Sequence, residues 1–263
     1  MVPVDNLVTE NEFFSTQYED NVLVVRTKKH LTHLCEDIHK IDIFYSFHDE
    51  LINSKNIKAV VSIGAKAQTG SAPSLAFLCN VLRSDNRKHL LERYFNLTNH
   101  YVLTMANLDK ITVHADHGLV SLYHFGMSLA FDYRIVAEGT VFENLGTEIG
   151  MVPKGGAAYF LSRMLGMKRA VEVLQWTRFS AEEALQLGLV DRIVPLEDLE
   201  KEAMHIARRH LQRPISTLLN IRKLLKSDIN ELSRSLDMED QIILKRITDP
   251  DFKSLLEVHC PSA

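Results

Sequence analysis

The stretch from Ser180 to Pro195 reads Ser-Ala-Glu-Glu-Ala-Leu-Gln-Leu-Gly-Leu-Val-Asp-Arg-Ile-Val-Pro, and its punctuation is local. Ser180 is a good N-cap, and Glu183 three residues later completes a capping box, so a helix is expected over Ala181 to Leu187. Gly188 is well placed to stop it, because glycine takes the left-handed conformation at a helix end without steric cost. Leu189 to Pro195 then returns as an extended segment.

Upstream, short β-branched runs at Asn21 to Thr27, Ile57 to Ile63, Ile111 to Ala115 and Tyr133 to Ala137 read as strands. Between them, Leu31 to Leu51 and Leu75 to Leu108 carry apolar residues at helical spacing. Alternation of this kind makes the helices crossovers between parallel strands and puts ligand sites on the loops leaving those strands. One such loop, Gly64 to Ser74, is rich in small residues that let the backbone approach a ligand closely. From Gly155 onward the chain becomes almost wholly helical. Leu196 to Arg213 and Ile215 to Leu256 are amphipathic and read as a C-terminal layer. The expected organisation is therefore an α/β core over residues 1–195 and a helical oligomerisation region over residues 196–263.

Composition narrows the function. The chain of 263 residues is 46% hydrophobic and 24% charged, with a formal net charge of -4. Acids and bases are interleaved, which leaves no broad basic surface for counterion release, so nucleic-acid binding is not expected. The start Met1 to Leu7 has neither the cationic nor the apolar part of a secretory signal, and no segment is apolar for long enough to cross a bilayer. A cytoplasmic protein without a membrane partner is expected. Cys35, Cys79 and Cys260 form no CxxC pair, and all three are read as reduced thiols.

Ser180 to Pro195 resembles the signature of the crotonase (enoyl-CoA hydratase/isomerase) superfamily, in which a helix ends at Gly-Leu-Val before a short strand. Ile149-Gly150-Met151-Val152-Pro153, Gly155-Gly156 and Leu161-Ser162-Arg163 stand in family spacing. Lys110 to Gly118 is similar to the family's Lys-Pro-x-Ile-Ala-Ala-Val-x-Gly strand, with Ile111 in place of the proline. The resemblance implies a crotonase-like spiral of ββα units with a C-terminal helical layer, assembled as a homotrimer or a dimer of trimers. It also implies an acyl-CoA or acyl-carrier-linked thioester as partner, with no cofactor beyond the coenzyme A that the substrate carries. Two backbone amides would bind the thioester oxygen as it becomes an enolate; by family position one belongs to the Gly70-Ser71-Ala72 turn and the other to Tyr123. A preorganised donor of this kind is worth about 3 kcal/mol.

The departures bear on the reaction. The two glutamates of hydratases fall here on Gly126 and Gly146, and the acidic position of some isomerases and dehalogenases falls on Lys154. Water addition by a carboxylate pair is therefore disfavoured. Decarboxylation, isomerisation and thioester hydrolysis suit an oxyanion hole alone better, and a catalytically silent binding or scaffold subunit is the competing reading.

Lys154 is a candidate partner for an anionic substrate group, or a base if desolvated; otherwise it is a solvated loop lysine. Tyr123 and His124 lie beside the second amide, where a phenol or ring proton would assist; otherwise they are packing aromatics. Glu143 and Glu148 flank the vacant glutamate position, with Glu148 preferred for proton transfer over the alternative of solvated loop carboxylates. Lys28 and Lys29 follow the first strand, where the family often places basic residues near the phosphates of coenzyme A; a plain surface pair is the alternative. The cluster His114, Asp116, His117 has a metal-like spacing. On a strand, however, His117 points away from the other two, so no metal site is expected there.

Overall fold

The computed structural model describes residues 7–35, 37–65, 68–225 and 228–260. Glu36, Lys66, Ala67, Lys226 and Ser227, which fall inside segments read above as helices and loop, lie outside the described residues, as do both chain ends.

The strands are β1 (Phe14–Glu19), β2 (Val22–Thr27), β3 (Ala59–Ile63), β4 (Ile111–Asp116), β5 (Leu119–Ser121), β6 (Tyr133–Ala137), β7 (Val141–Glu143), β8 (Arg178–Ser180) and β9 (Arg192–Val194). One sheet runs in the order β1-β2-β3-β4-β6-β9 and a small second sheet in the order β5-β7-β8. β1 and β2 form a hairpin whose turn residues, Asp20 and Asn21, both have positive φ, at 51° and 65°. This is the twist a two-residue hairpin demands, and Asp and Asn tolerate it better than other side chains. From β2 onward every neighbour in the large sheet is parallel, so each connection crosses a face of the sheet.

The helices are α1 (Ile38–Asn53), α2 (Ala72–Arg83), α3 (Arg87–Asn107), α4 (Leu122–Ser128), α5 (Gly146–Ile149), α6 (Ala157–Gln175), α7 (Ala181–Gln186), α8 (Leu199–Leu211), α9 (Ile215–Leu225), α10 (Ile229–Ile247) and α11 (Pro250–His259). The capping box at Ser180 and Glu183 forms as its spacing predicts. All of β4 is buried, and period two splits it. Ile111, Val113 and Ala115 pack with α8, while Thr112, His114 and Asp116 take the alternate positions.

Three long helical readings break. Leu31–Leu34 is a short 3-10 turn, and Asp37 restarts the chain as α1 by accepting the His39 N–H. Ser84 to Asn86 separates α2 from α3, and Asp228 and Asp249 head α10 and α11. Asp37 and Asp228 accept a first-turn N–H, while at α11 Pro250 in the first turn prevents α10 from continuing. The reduced-thiol reading is also corrected: Cys79 of α2 and Cys260, just past α11, form a disulfide, and Cys35 is buried. The two partners lie 181 residues apart, and only the docking of α11 on α2 brings them together.

Candidate active site

Helices α2, α3, α4 and α5, with the ends of β5 and β7 and the loop after α5, converge on a cavity of about 90 Å³ lined by Ser71, Leu75, Tyr123, Glu143, Gly146 and Lys154, among others. Ser71 caps α2, and Tyr123 is the second residue of α4, whose own cap, Ser121, accepts the His124 N–H at 3.2 Å. An amide in the first turn of a helix has no intrahelical acceptor. The Tyr123 N–H finds none among the described residues. The Ser71 N–H, by contrast, donates to Glu143 Oε1 at 2.7 Å. Glu143 ends β7, directly across from Arg178 on β8, and its other oxygen lies 3.7 Å from that guanidinium. A protein carboxylate thus sits on one of the two amides expected to hold a thioester oxygen.

At Gly126 and Gly146, which the resemblance aligns with the hydratase glutamates, a side chain would be tightly confined. A Cβ on Gly126 would stand 3.0 Å from both Cβ and N of Ala157, and one on Gly146 would stand 3.0 Å from the Met151 carbonyl oxygen. Main-chain atoms lie against both positions, so a side chain at either would need its neighbours to shift by a few tenths of an ångström.

Lys154 is buried, and its ammonium is engaged by the protein itself. Nζ lies 2.6 Å from Asp240 Oδ1 and 3.7 Å from Glu239 Oε2, donates to Asn99 Oδ1 at 2.5 Å, and stands over the Phe95 ring. Burial pushes the Glu239 carboxyl up to about 7, against the pull of Lys154 and the Gly156 N–H. Burial also raises Asp240. The Lys154 stem lines the cavity while its charge is spent on α10. Glu239 was legible in part: Leu232, Leu236, Ile243 and Ile247 form the buried stripe of α10, and Glu239 falls on it.

The other sequence candidates separate. The Tyr123 phenol exchanges a hydrogen bond with Thr98 Oγ1 at 2.8 Å, and burial holds its pKa well above the usual phenol range. Glu148 is exposed on α5 and does not line the cavity, whereas Glu143, at the end of β7, does and meets the Ser71 amide. Ala72 is exposed as well, which leaves Ser71 as the lining residue of its turn. Lys28 and Lys29 pair with Glu10 at 2.9 Å and Glu12 at 2.6 Å on the surface, so their charges are already matched. His124 does not line the cavity that Tyr123 lines; with His114 it lines a second, mostly apolar cavity of about 110 Å³, and it contacts the buried Asp116 behind it. Burial there favours the protonated acid, yet the two imidazoles hold Asp116 far below the carboxylate range. His30, at the boundary between the two cavities, is pushed down to about 3 by burial and by His124 and His33.

Comparison with known proteins places this geometry. Among solved structures, an enoyl-CoA hydratase from Bacillus halodurans superposes with a TM-score of 0.81 at 23% identity, covering 94% of this chain and 99% of that one. Pseudomonas aeruginosa OdaA gives a TM-score of 0.76 at 20% identity, covering 95% of this chain and 99% of that one. An enoyl-CoA hydratase/isomerase from Mycobacterium paratuberculosis gives 0.76 at 17% identity over 94% of this chain and 98% of that one. These likenesses establish the fold, an α/β crotonase spiral with added C-terminal helices. A family model described as enoyl-CoA hydratase/isomerase matches residues 52–257. With the match running from the end of α1 to α11, the chain belongs to the enoyl-CoA hydratase/isomerase family.

Proposed function

We propose that this protein isomerises an acyl thioester, carried on coenzyme A or an acyl carrier, by moving one proton through an enolate. The Tyr123 and Ser71 N–H groups hold the thioester oxygen, and Glu143 is the single proton-transfer group. The observation that carries this reading is the contact of Glu143 Oε1 with the Ser71 amide at 2.7 Å. A carboxylate at an oxyanion donor stands close to C2, the carbon next to a thioester carbonyl bound there; it takes the C2 proton of a 3-enoyl thioester and returns it to C4 of the resulting dienolate, so one group serves both ends of the double-bond shift. Hydration needs a second carboxylate, and the glycines Gly126 and Gly146, at the positions the resemblance assigns to the hydratase pair, supply none.

The same contact favours a second reading, a silent thioester-binding subunit, because Glu143 must leave the amide before substrate can take it. One experiment separates the two. The purified protein is incubated with 2-enoyl-, 3-enoyl-, malonyl- and 3-hydroxyacyl-CoA, and products are resolved by chromatography and mass. Interconversion of 2- and 3-enoyl thioesters that falls about 100-fold or more in Glu143→Gln supports the isomerase. Binding of all four without product supports the silent subunit. Loss of carbon dioxide from the malonyl thioester, insensitive to Glu143→Gln, assigns decarboxylation instead.

A further inference from the structure

We propose that His114, Asp116 and His124 form a binding site for a divalent first-row transition ion of the zinc or cobalt kind. The site lies apart from the thioester cavity, and its test does not depend on turnover. His114 and Asp116 come from the same face of β4, and His124 comes from the first turn of α4. Their donor atoms all lie within 4.8 Å of one another. His114 Nε2 is 2.9 Å from Asp116 Oδ2, His124 Nε2 is 3.1 Å from Asp116 Oδ1, and the two Nε2 atoms are 3.2 Å apart.

Protons alone do not satisfy this arrangement. Each imidazole nitrogen carries either one proton or one lone pair, directed in the ring plane, and so serves one hydrogen bond. Here each Nε2 faces two partners at once, the carboxylate and the other Nε2. If both nitrogens donate to Asp116, two N–H groups confront each other; if one donates to the other, a carboxylate contact is lost. A cation removes the conflict, because both lone pairs and a carboxylate oxygen then point at one positive centre. The spacing fits: donors about 2.0 to 2.1 Å from a metal at tetrahedral angles are about 3.3 Å from each other.

Two further observations support an ion here. Asp116 is 2% exposed, and its ion-pair partners among the described residues are the two imidazoles, which carry a charge only when protonated. A buried carboxylate requires a compensating charge. Gly64 is shaped around it: a Cβ at that position would stand 2.0 Å from Asp116 Oδ1. The backbone of the loop after β3 therefore comes as close to this carboxylate as glycine alone permits. Both imidazoles also line the second cavity, walled by Phe44, Met127 and Phe131, so a three-ligand ion would keep a position open toward an apolar space. Such an open position marks a reactive rather than a purely structural site.

The test uses the full chain, stripped with chelator and titrated with Zn²⁺ and separately with Co²⁺. The expected result is one tightly bound equivalent per chain, with the visible absorption of low-symmetry Co²⁺. Affinity should fall at least 100-fold in His124→Ala and in Asp116→Asn. Circular dichroism checks that each variant is folded. Should a variant fail to fold, Cu²⁺ bound to the unaltered protein serves, since its paramagnetic resonance spectrum counts coordinated nitrogens and two are expected. Absence of a tight equivalent, an unchanged affinity in both folded variants, or a count other than two nitrogens would overturn the assignment. Turnover of thioesters, or its lack, bears on neither result.

Discussion

Replacing Glu239 by glutamine is expected to stabilise the protein, and increasingly so as pH rises. Glu239 is 6% exposed, on the core face of α10, and burial lifts its carboxyl from the ordinary 4.5 to about 7. An acid whose folded pKa is raised keeps its proton in the folded state after the unfolded chain has released it. Stability is then complete below about 4.5 and is lost as pH climbs toward 7. At 1.36 kcal/mol per pKa unit, a shift of this size places about 3 kcal/mol of cost on the ionised form. Glutamine resembles the protonated acid at every pH and still accepts the Gly156 N–H, which lies 3.3 Å from Glu239 Oε2. Urea denaturation of both proteins at pH 5 and pH 8 should therefore show the variant's advantage growing by about 2 kcal/mol between the two. His30 and His48, both pushed down to about 3 by burial, act with the opposite sign and lose stability as pH falls below 6.5. They are present in both proteins and cancel in the comparison. A difference independent of pH, or a variant that weakens as pH rises, would refute the reasoning by showing that the pairing with Lys154 outweighs the burial of the charge.

Further outcomes follow from the same contacts. Lys154→Met should destabilise the fold by about 3 to 5 kcal/mol, because it leaves Asp240 and Glu239 buried without their cation; adding Asp240→Asn and Glu239→Gln should recover much of that loss in the same urea titration. Gly126→Glu, which nominally restores a hydratase carboxylate, should yield no hydration of 2-enoyl-CoA and lower stability by about 1 to 3 kcal/mol, since its Cβ meets the start of α6. Reduction of Cys79–Cys260 should cost about 2 to 5 kcal/mol, read as a lowered melting temperature with dithiothreitol that Cys79→Ser reproduces without reductant.

Much of this protein was legible in one dimension because the signals are local. The capping box of Ser180 and Glu183 depends only on residues three apart, and the parallel strands β2, β3, β4 and β6 announce themselves as β-branched runs between helical ones. The assignment of Gly126 and Gly146 to the hydratase glutamate positions rests on the family resemblance of the surrounding sequence. That His114 and Asp116 share one face of a strand follows from period two and held in the structure. What required the tertiary structure were partnerships across long separations. α10 brings Glu239 and Asp240 to Lys154 and turns a candidate base into half of a buried ion pair. The β7–β8 pairing, too short to read from a pattern of three residues, decides that Glu143 rather than Glu148 meets Ser71. The third member of the histidine cluster is His124 from α4, where strand geometry had excluded His117. Docking of α11 on α2 joins two cysteines 181 residues apart. Periodicity and caps are fixed by neighbours within a turn or two of the chain, whereas charge pairing and ligand convergence depend on which faces the folded layers press together.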